Sequence, residues 1–264
     1  MSVDEIHLFK EQLSSTLLEE TISDTILQKR KLNFGVPKLD RLIGDGIPSN
    51  SIVELYGSAG SGKTQMALQL VSNTLKNEND SKILFICTQE RFSIDRLLSM
   101  LGPNFDSSVL DRLHIEYFLD SEVEMHFFKY SLQAMIQEFN YELIIYDGIA
   151  SNIRSIENIF EKSDYINQII ASIRRLFLYF KVCVLITNQI TDIPSDSESI
   201  KASALGLTLE NNVNIKIYLE KTRNSSERCV SVKKSLFSSL SKEYFIITDV
   251  GLKGSEERDS GLFS

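Results

Sequence analysis

Tryptophan is absent from the 264 residues, and cysteine and histidine occur only three times each. Cys87, Cys183 and Cys229 are far apart and odd in number, which excludes a disulfide framework and a paired-cysteine redox or zinc motif. Cys87 and Cys183 lie inside apolar runs, where a thiol behaves as a small hydrophobe, so a reduced, intracellular protein is expected. His7, His114 and His126 stand alone, without Cys, Asp or Glu at metal-ligand spacing, and no catalysis is assigned to them. No apolar run approaches the roughly 20 residues a bilayer requires. The acidic start Met1-Ser-Val-Asp-Glu5 lacks the basic and apolar parts of a signal peptide. Both readings predict a soluble chain with no membrane partner. Positive charge is also scarce: 28 Lys and Arg against 36 Asp and Glu give a net charge of -8. Nucleic-acid binding over the whole surface is thereby excluded, because phosphate contacts draw on Lys and Arg, although a local basic strip is still allowed. Lys29-Arg-Lys31, Arg174-Arg175 and Lys233-Lys234 read as solvated faces or helix-end charges. No nucleophile elbow or hydrolase triad signature is present.

What is present is enough apolar sequence, 42%, to build a substantial core, and a length that suits one α/β domain with a short appendage. Leu13, Leu17, Leu18, Ile22 and Ile26 recur at helical spacing in an N-terminal extension, residues 1–31. Gly and Pro then punctuate residues 34–48 as turns. Beyond Pro48 short apolar runs alternate with helical patterns. Strands are expected at 51–56, 82–88, 114–118, 142–147 and 182–188, and helices at 63–75, 93–101, 122–139 and 163–180. That alternation predicts a mostly parallel sheet covered by helices on both faces. From Asn212 the pattern changes to strands at 213–219, 229–234 and 243–249 joined by polar turns, an antiparallel extension of the sheet. The core is placed at 32–252 and a tail at 253–264.

Gly57-Ser58-Ala59-Gly60-Ser61-Gly62-Lys63-Thr64 matches the full Walker A pattern, with a strand before it and a helix after it. Its glycines let successive N–H groups turn inward into a nest for phosphate oxygens, and the following helix adds the positive end of its dipole. Lys63 is expected on the β- and γ-phosphates of ATP and the Thr64 hydroxyl on Mg²⁺. The second carboxylate for that ion is Asp147, ending the apolar run Leu143-Ile-Ile-Tyr. Gln89 and Glu90 compete to orient the attacking water, since adjacent residues cannot both point inward from a regular strand end. Asn188-Gln189 ends the next strand and offers an amide near the γ-phosphate.

With these parts in order, the sequence resembles the RecA-type recombinase family, in its eukaryotic branch. The likeness rests on the lead-in Phe34 to Pro48, on Ile52-Val-Glu-Leu-Tyr-Gly57, on Gly62-Lys-Thr-Gln65 and on Phe85 to Leu98. Leu143 to Ala150, Leu185-Ile-Thr-Asn-Gln189 and Ala204 to Asn212 complete it. Within the family it looks most like the auxiliary recombinase paralogues, the yeast Rad-fifty-seven-like and vertebrate XRCC-three-like group. The resemblance implies a RecA-like P-loop ATPase core. It implies phosphate binding by Gly57 to Thr64, Mg²⁺ at Thr64 and Asp147, γ-phosphate sensing by Gln189, and Arg96 against the adenine. It also implies a nuclear mediator of homologous recombination and double-strand break repair. The partners would be a second paralogue in a heterodimer, the main strand-exchange recombinase, and single-stranded DNA reached through the complex.

Departures from the family pattern shape that expectation. Active recombinases carry Glu where this chain has Gln89, which implies slow turnover at most. The first DNA loop, after Asp147, offers Arg154 as its best contact, and the second, Ile190 to Ser203, has Lys201 against Asp192, Asp196 and Glu198. Both are poor grips on phosphate. Phe9-Lys-Glu-Gln12 lacks the Ala of the family's polymerisation tether, so long homopolymers are not expected. Two other readings stay open: a fully active strand-exchange recombinase, and a RecA-fold ATP switch with no DNA role.

Overall fold

The computed structural model describes residues 31–76, 80–177, 179–193, 200–236 and 238–255. The fold is that of the unit spanning 32–264, and the helical expectation for the first 30 residues lies outside the described ones. Its centre is a ten-stranded sheet among the described residues. In chain order its strands are β1 (Ile52–Gly57), β2 (Lys82–Cys87), β3 (Leu113–Tyr117), β4 (Tyr141–Asp147) and β5 (Cys183–Ile193). These are followed by β6 (Ile200–Ser203), β7 (Ile215–Lys221), β8 (Glu227–Lys234), β9 (Lys242–Thr248) and β10 (Gly251–Gly254). They lie in the order β10-β9-β8-β7-β1-β5-β4-β2-β3, with β6 paired to β5. The stretch from β7 to β3 is parallel, whereas β7 to β10 run antiparallel. The α/β fold expected from the alternating pattern is the one found.

The apolar strands are buried on both faces, and alternate residues of each strand go to different cores. Ile83, Phe85, Leu143, Ile145, Cys183 and Leu185 pack on one side, with helices α1 (Pro37–Leu42), α2 (Lys63–Lys76) and α3 (Ile94–Leu101). Leu84, Ile86, Ile144, Tyr146, Val184 and Ile186 pack on the other. There they meet α4 (Ser121–His126), a π-helical turn (Phe127–Ser131), α5 (Leu132–Phe139) and α6 (Ile159–Leu176). Two-sided burial explains why these strands read as continuous apolar runs rather than alternating ones. Each such Leu or Ile contributes roughly 1.5–3 kcal/mol of transfer free energy. Burial also pushes the Cys87 and Cys183 thiols up to about 12, so both stay protonated fillers of the core.

Several boundaries differ from those read in the sequence. The 122–139 helix is interrupted by the π turn, which widens one turn and sends Phe127 and Phe128 into the core. The last long helix starts at Ile159, not 163, because the Asn158 side chain accepts a hydrogen bond from Phe160 N (2.9 Å) and caps it. It ends at Leu176. Residues 34–48 are not only turns: Pro37–Leu42 form a helical turn and a half, tied down where Asp40 accepts from Phe34 N (2.7 Å) and Val36 N (3.0 Å). The core runs past Leu252, since Lys253 and Gly254 pair with Ile246 and Phe245 and complete β10. A short helix, α7 (Gly206–Glu210), fills the stretch before β7.

Candidate functional site

The carboxyl ends of β1, β2, β4 and β5 meet at one edge of the sheet, where open α/β folds form their ligand crevices. Register fixes the neighbours: Gly57 stands beside Gln189, and Asp147 beside both Thr187 and Cys87. A cleft of about 650 Å³ opens there, bordered by the glycine loop, Gln89 and Glu90, Arg96, Asp147 and Gln189.

The loop has the form its sequence requires. A Cβ on Gly57 would meet the Leu219 carbonyl oxygen at 2.2 Å, so the loop can leave β1 only as glycine. Gly60 and Gly62 have φ of 70° and 102°, conformations that turn amides inward at no steric cost. Ser61 is fully buried, with its Oγ packed towards Gly57 and without a hydrogen-bond partner. Lys63 Nζ reaches back to donate to Gly57 O and Ser58 O, both at 2.9 Å. Burial pulls the Lys63 ammonium below its ordinary pKa, Asp147 opposes that, and Lys221 adds to it. These residues fit a phosphate chain: glycines free to turn their amides inward, and one ammonium at the mouth.

Asp147 receives the Thr64 hydroxyl (3.0 Å to Oδ2) and the Thr187 hydroxyl (2.5 Å to Oδ1). Burial raises its pKa, and the hydrogen bonds from Thr187 and Thr64 and the charge of Lys63 counter the rise, while Glu90 reinforces it. A hydroxyl and a carboxylate in contact at the loop's helix are a donor set suited to a hydrated Mg²⁺. Thr88 locks the neighbouring strand end, donating to Gly148 O at 2.7 Å and Asp147 O at 3.1 Å.

Three sequence expectations change here. Gln89 and Glu90 both border the cleft, because β2 ends at Cys87 and the chain beyond it is no longer an alternating strand. Arg154, expected as a contact of the first DNA loop, donates to Gln189 Oε1, so this loop is joined to the amide at the end of β5. Its loop is also shorter than expected, with Asn152–Ser155 forming a 3-10 turn and α6 starting soon after. The second loop is largely a hairpin: Lys201 lies on β6 opposite Asp192, and residues 194–199 lie outside the described ones. Arg96 is pinned by three acceptors, Gln65 Oε1 (2.6 Å), Asp249 O (2.6 Å) and Thr248 O (2.7 Å), which fix its guanidinium at the cleft wall.

Sequence reasoning missed the wall supplied by the C-terminal strands. Arg228 on β8 and Ile247, Thr248 and Asp249 at the end of β9 line the same cleft. No motif marks them, because only the β7-β8-β9 pairing carries them back to the loop.

The chain matches the Rad51 family over residues 27–255. It belongs to the Rad51 family. Among Rad51-family relatives it is 27% identical to the "DNA repair and recombination protein RadA" of Aeropyrum pernix, over 86% of this chain and 74% of that one. It is 25% identical to the "DNA repair protein rhp57" of Schizosaccharomyces pombe, over 82% of this chain and 76% of that one. To the "DNA repair protein XRCC3" of Mus musculus it is 24% identical, over 74% of this chain and 64% of that one. The expected likeness to the recombinase paralogues is therefore found. No helix among the described residues is long and apolar enough to cross a membrane.

Behind the Asp147 strand lies a second polar group. Glu124, fully buried, accepts from the Tyr146 and Tyr165 hydroxyls and from Asn152 Nδ2 (2.8 Å), tying α4, β4, α6 and the first loop together. Burial raises its pKa above the ordinary carboxylate value, against the pull of its three donors. A carboxyl raised in the folded state stabilises most below its unfolded pKa, and that contribution is lost as pH rises through the folded value. Glu124→Gln removes it, so wild type should exceed the variant in stability most near pH 4.5, with the gap narrowing towards pH 8. Urea denaturation of both proteins across that range measures the gap, and a gap widening with pH would refute the assignment.

Proposed function

We propose that this chain is an ATP-binding recombinase paralogue that mediates homologous recombination and double-strand break repair in the nucleus. It would work in a heterodimer with a second paralogue, helping to load or stabilise the main recombinase on single-stranded DNA. One observation carries the reading: Ala59, Gly60, Gly62, Lys63 and Thr64 of the glycine loop, Asp147 and Gln189 converge on one cleft, while the position that would take a proton from water holds Gln89. The relatives' names, all of DNA repair proteins, support the repair role.

In this reading the loop amides and Lys63 hold the β- and γ-phosphates, and Thr64 and Asp147 hold Mg²⁺, which supplies charge neutralisation there when bound. Arg96, already fixed by its carbonyl partners, gives the adenine a cationic face. Gln189 has one amide to share between a terminal phosphate and Arg154, which links nucleotide state to the first loop. Gln89 can orient a water but cannot deprotonate it, and general-base help is worth about 10²–10⁴-fold, so turnover is slow.

The test is to purify the chain with its stoichiometric companion from cells and measure two things. Single-stranded DNA should be bound in a salt-sensitive manner, and recombinase should coat that DNA faster with the complex and ATP than without. A complex that does neither is a switch without a DNA role, and the proposal fails.

A further inference from the structure

Around the tip of the glycine loop stand two cations that no motif contains. Lys221, at the end of β7, and Arg228, at the start of β8, are direct partners across the antiparallel ladder. Like charges placed opposite one another in a sheet are destabilising. Among the described residues no carboxylate lies within ion-pair distance of either. Instead both are drawn to the loop. Arg228 Nε donates to Gly60 O at 3.3 Å, and its Nη1 is braced by Ser225 O (2.7 Å) and Glu227 O (2.8 Å). Lys221 Nζ lies 3.0 Å from the point where a Cβ on Gly60 would sit, which places its ammonium against the loop tip. With Lys63, three cations surround a loop of eight residues in a protein whose net charge is -8. Lys221 is near enough to depress the pKa of Lys63. An arrangement that raises the folded chain's energy when alone, and does so where phosphate is cradled, is one that an anion relaxes.

We propose that Lys221 and Arg228 are phosphate-binding residues supplied in cis by the C-terminal antiparallel strands, completing with Lys63 a three-cation clamp on the polyphosphate of the bound nucleotide. The inference rests on the nucleotide reading of the loop given above. It assigns the β7-β8 strands a part in ligand binding: the strands added beyond the parallel sheet fold back and place charge on the phosphate chain. Arg228, half-buried and held by main-chain carbonyls, carries the larger share, and Lys221, exposed at the rim, the smaller.

The experiment is a titration of the full chain with fluorescent ATP and ADP analogues in the presence of Mg²⁺, followed by anisotropy. The variants are Arg228→Gln, Arg228→Lys, Lys221→Gln and Lys63→Ala, with thermal melts of each. Charge-assisted contacts of this kind imply about a tenfold or greater loss of ATP affinity for Arg228→Gln and a severalfold loss for Lys221→Gln. Arg228→Lys should recover part of it, with melts close to wild type. Should wild type bind ATP and Lys63→Ala lose it while both glutamine variants bind as wild type does, the clamp is refuted and the nucleotide reading stands. If wild type binds neither nucleotide, both fall. Unchanged ATP affinity with weakened binding of a single-stranded oligonucleotide would move these cations to a nucleic-acid surface and also overturn the clamp.

Discussion

Lys63→Ala is expected to lower the affinity for ATP by roughly two to three orders of magnitude while leaving the fold intact. The ammonium crosses the loop mouth, where its two hydrogen bonds, to Gly57 O and Ser58 O, show that it reaches the centre of the cradle. In the nucleotide complex those donors would turn to phosphate oxygens, and a hydrogen bond to a charged group is worth about 1.5–3 kcal/mol. Two such contacts account for the size of the loss. The fold is spared for a separate reason: burial depresses the Lys63 pKa, so the folded chain already bears a cost for holding that charge. Removing it relieves the cost, and the melting temperature should hold or rise. Isothermal titration with ATP and Mg²⁺ beside a thermal melt separates the two effects. Undiminished binding in the variant would mean that the loop is not the nucleotide cradle.

Lys216→Met should destabilise the protein by about 3–5 kcal/mol at neutral pH, through the charge it leaves behind. Glu54, in the middle of β1, is fully buried. Its Oε1 accepts from Asn188 Nδ2 at 2.8 Å, and Lys216 Nζ lies 3.7 Å from Oε2, with the Ser203 hydroxyl also lowering its pKa. Lys216 itself is held by Glu210 and lies over the Tyr56 ring, 5.0 Å from its centroid. Burial raises the pKa of Glu54, and Asn188 and Lys216 pull it down. Without Lys216 the pKa rises further, so protonation removes the stranded charge at moderately acid pH. The penalty is therefore largest at neutral pH and shrinks as pH falls towards the ordinary carboxylate range, because a raised carboxyl adds stability below its folded pKa. Urea denaturation at pH 7.5 and pH 5 checks both parts. A cost below about 1 kcal/mol at pH 7.5 would show that the pair carries no such role. The double variant Glu54→Leu with Lys216→Met should recover much of the loss, as apolar replacements of buried pairs often do. The site depends on this pair as well, since Asn188 Oδ1 accepts from Gln189 N at 2.8 Å and so steadies the amide beside the loop.

The parts legible in the sequence are those whose chemistry is local. Eight consecutive residues specify the glycine loop, because its turn geometry, inward amides and lysine all belong to one short segment. Asp147 was legible as the end of an apolar strand, and the α/β class as an alternation of short runs with helical patterns. The structure adds most where a local rule meets a distant partner. Gln89 and Glu90 were set against each other by strand alternation, but β2 ends before them. Arg154 was read as the best contact of the first DNA loop, and the fold also joins it to Gln189, 35 residues on.

Segment by segment, then, the chain by itself determined the glycine loop, the carboxylate at the end of its apolar strand, the two-sided parallel sheet and the family. Only the tertiary structure decided what surrounds them: that Lys221 and Arg228 face the loop tip, that Thr248 and Asp249 fix Arg96, and that Glu54 steadies Asn188. The reason is physical. A turn or a helix start is set by neighbours within a few residues, whereas the order and register of strands are set by burial across the whole sheet. Side chains brought together by that pairing leave no periodic or spaced trace in the sequence.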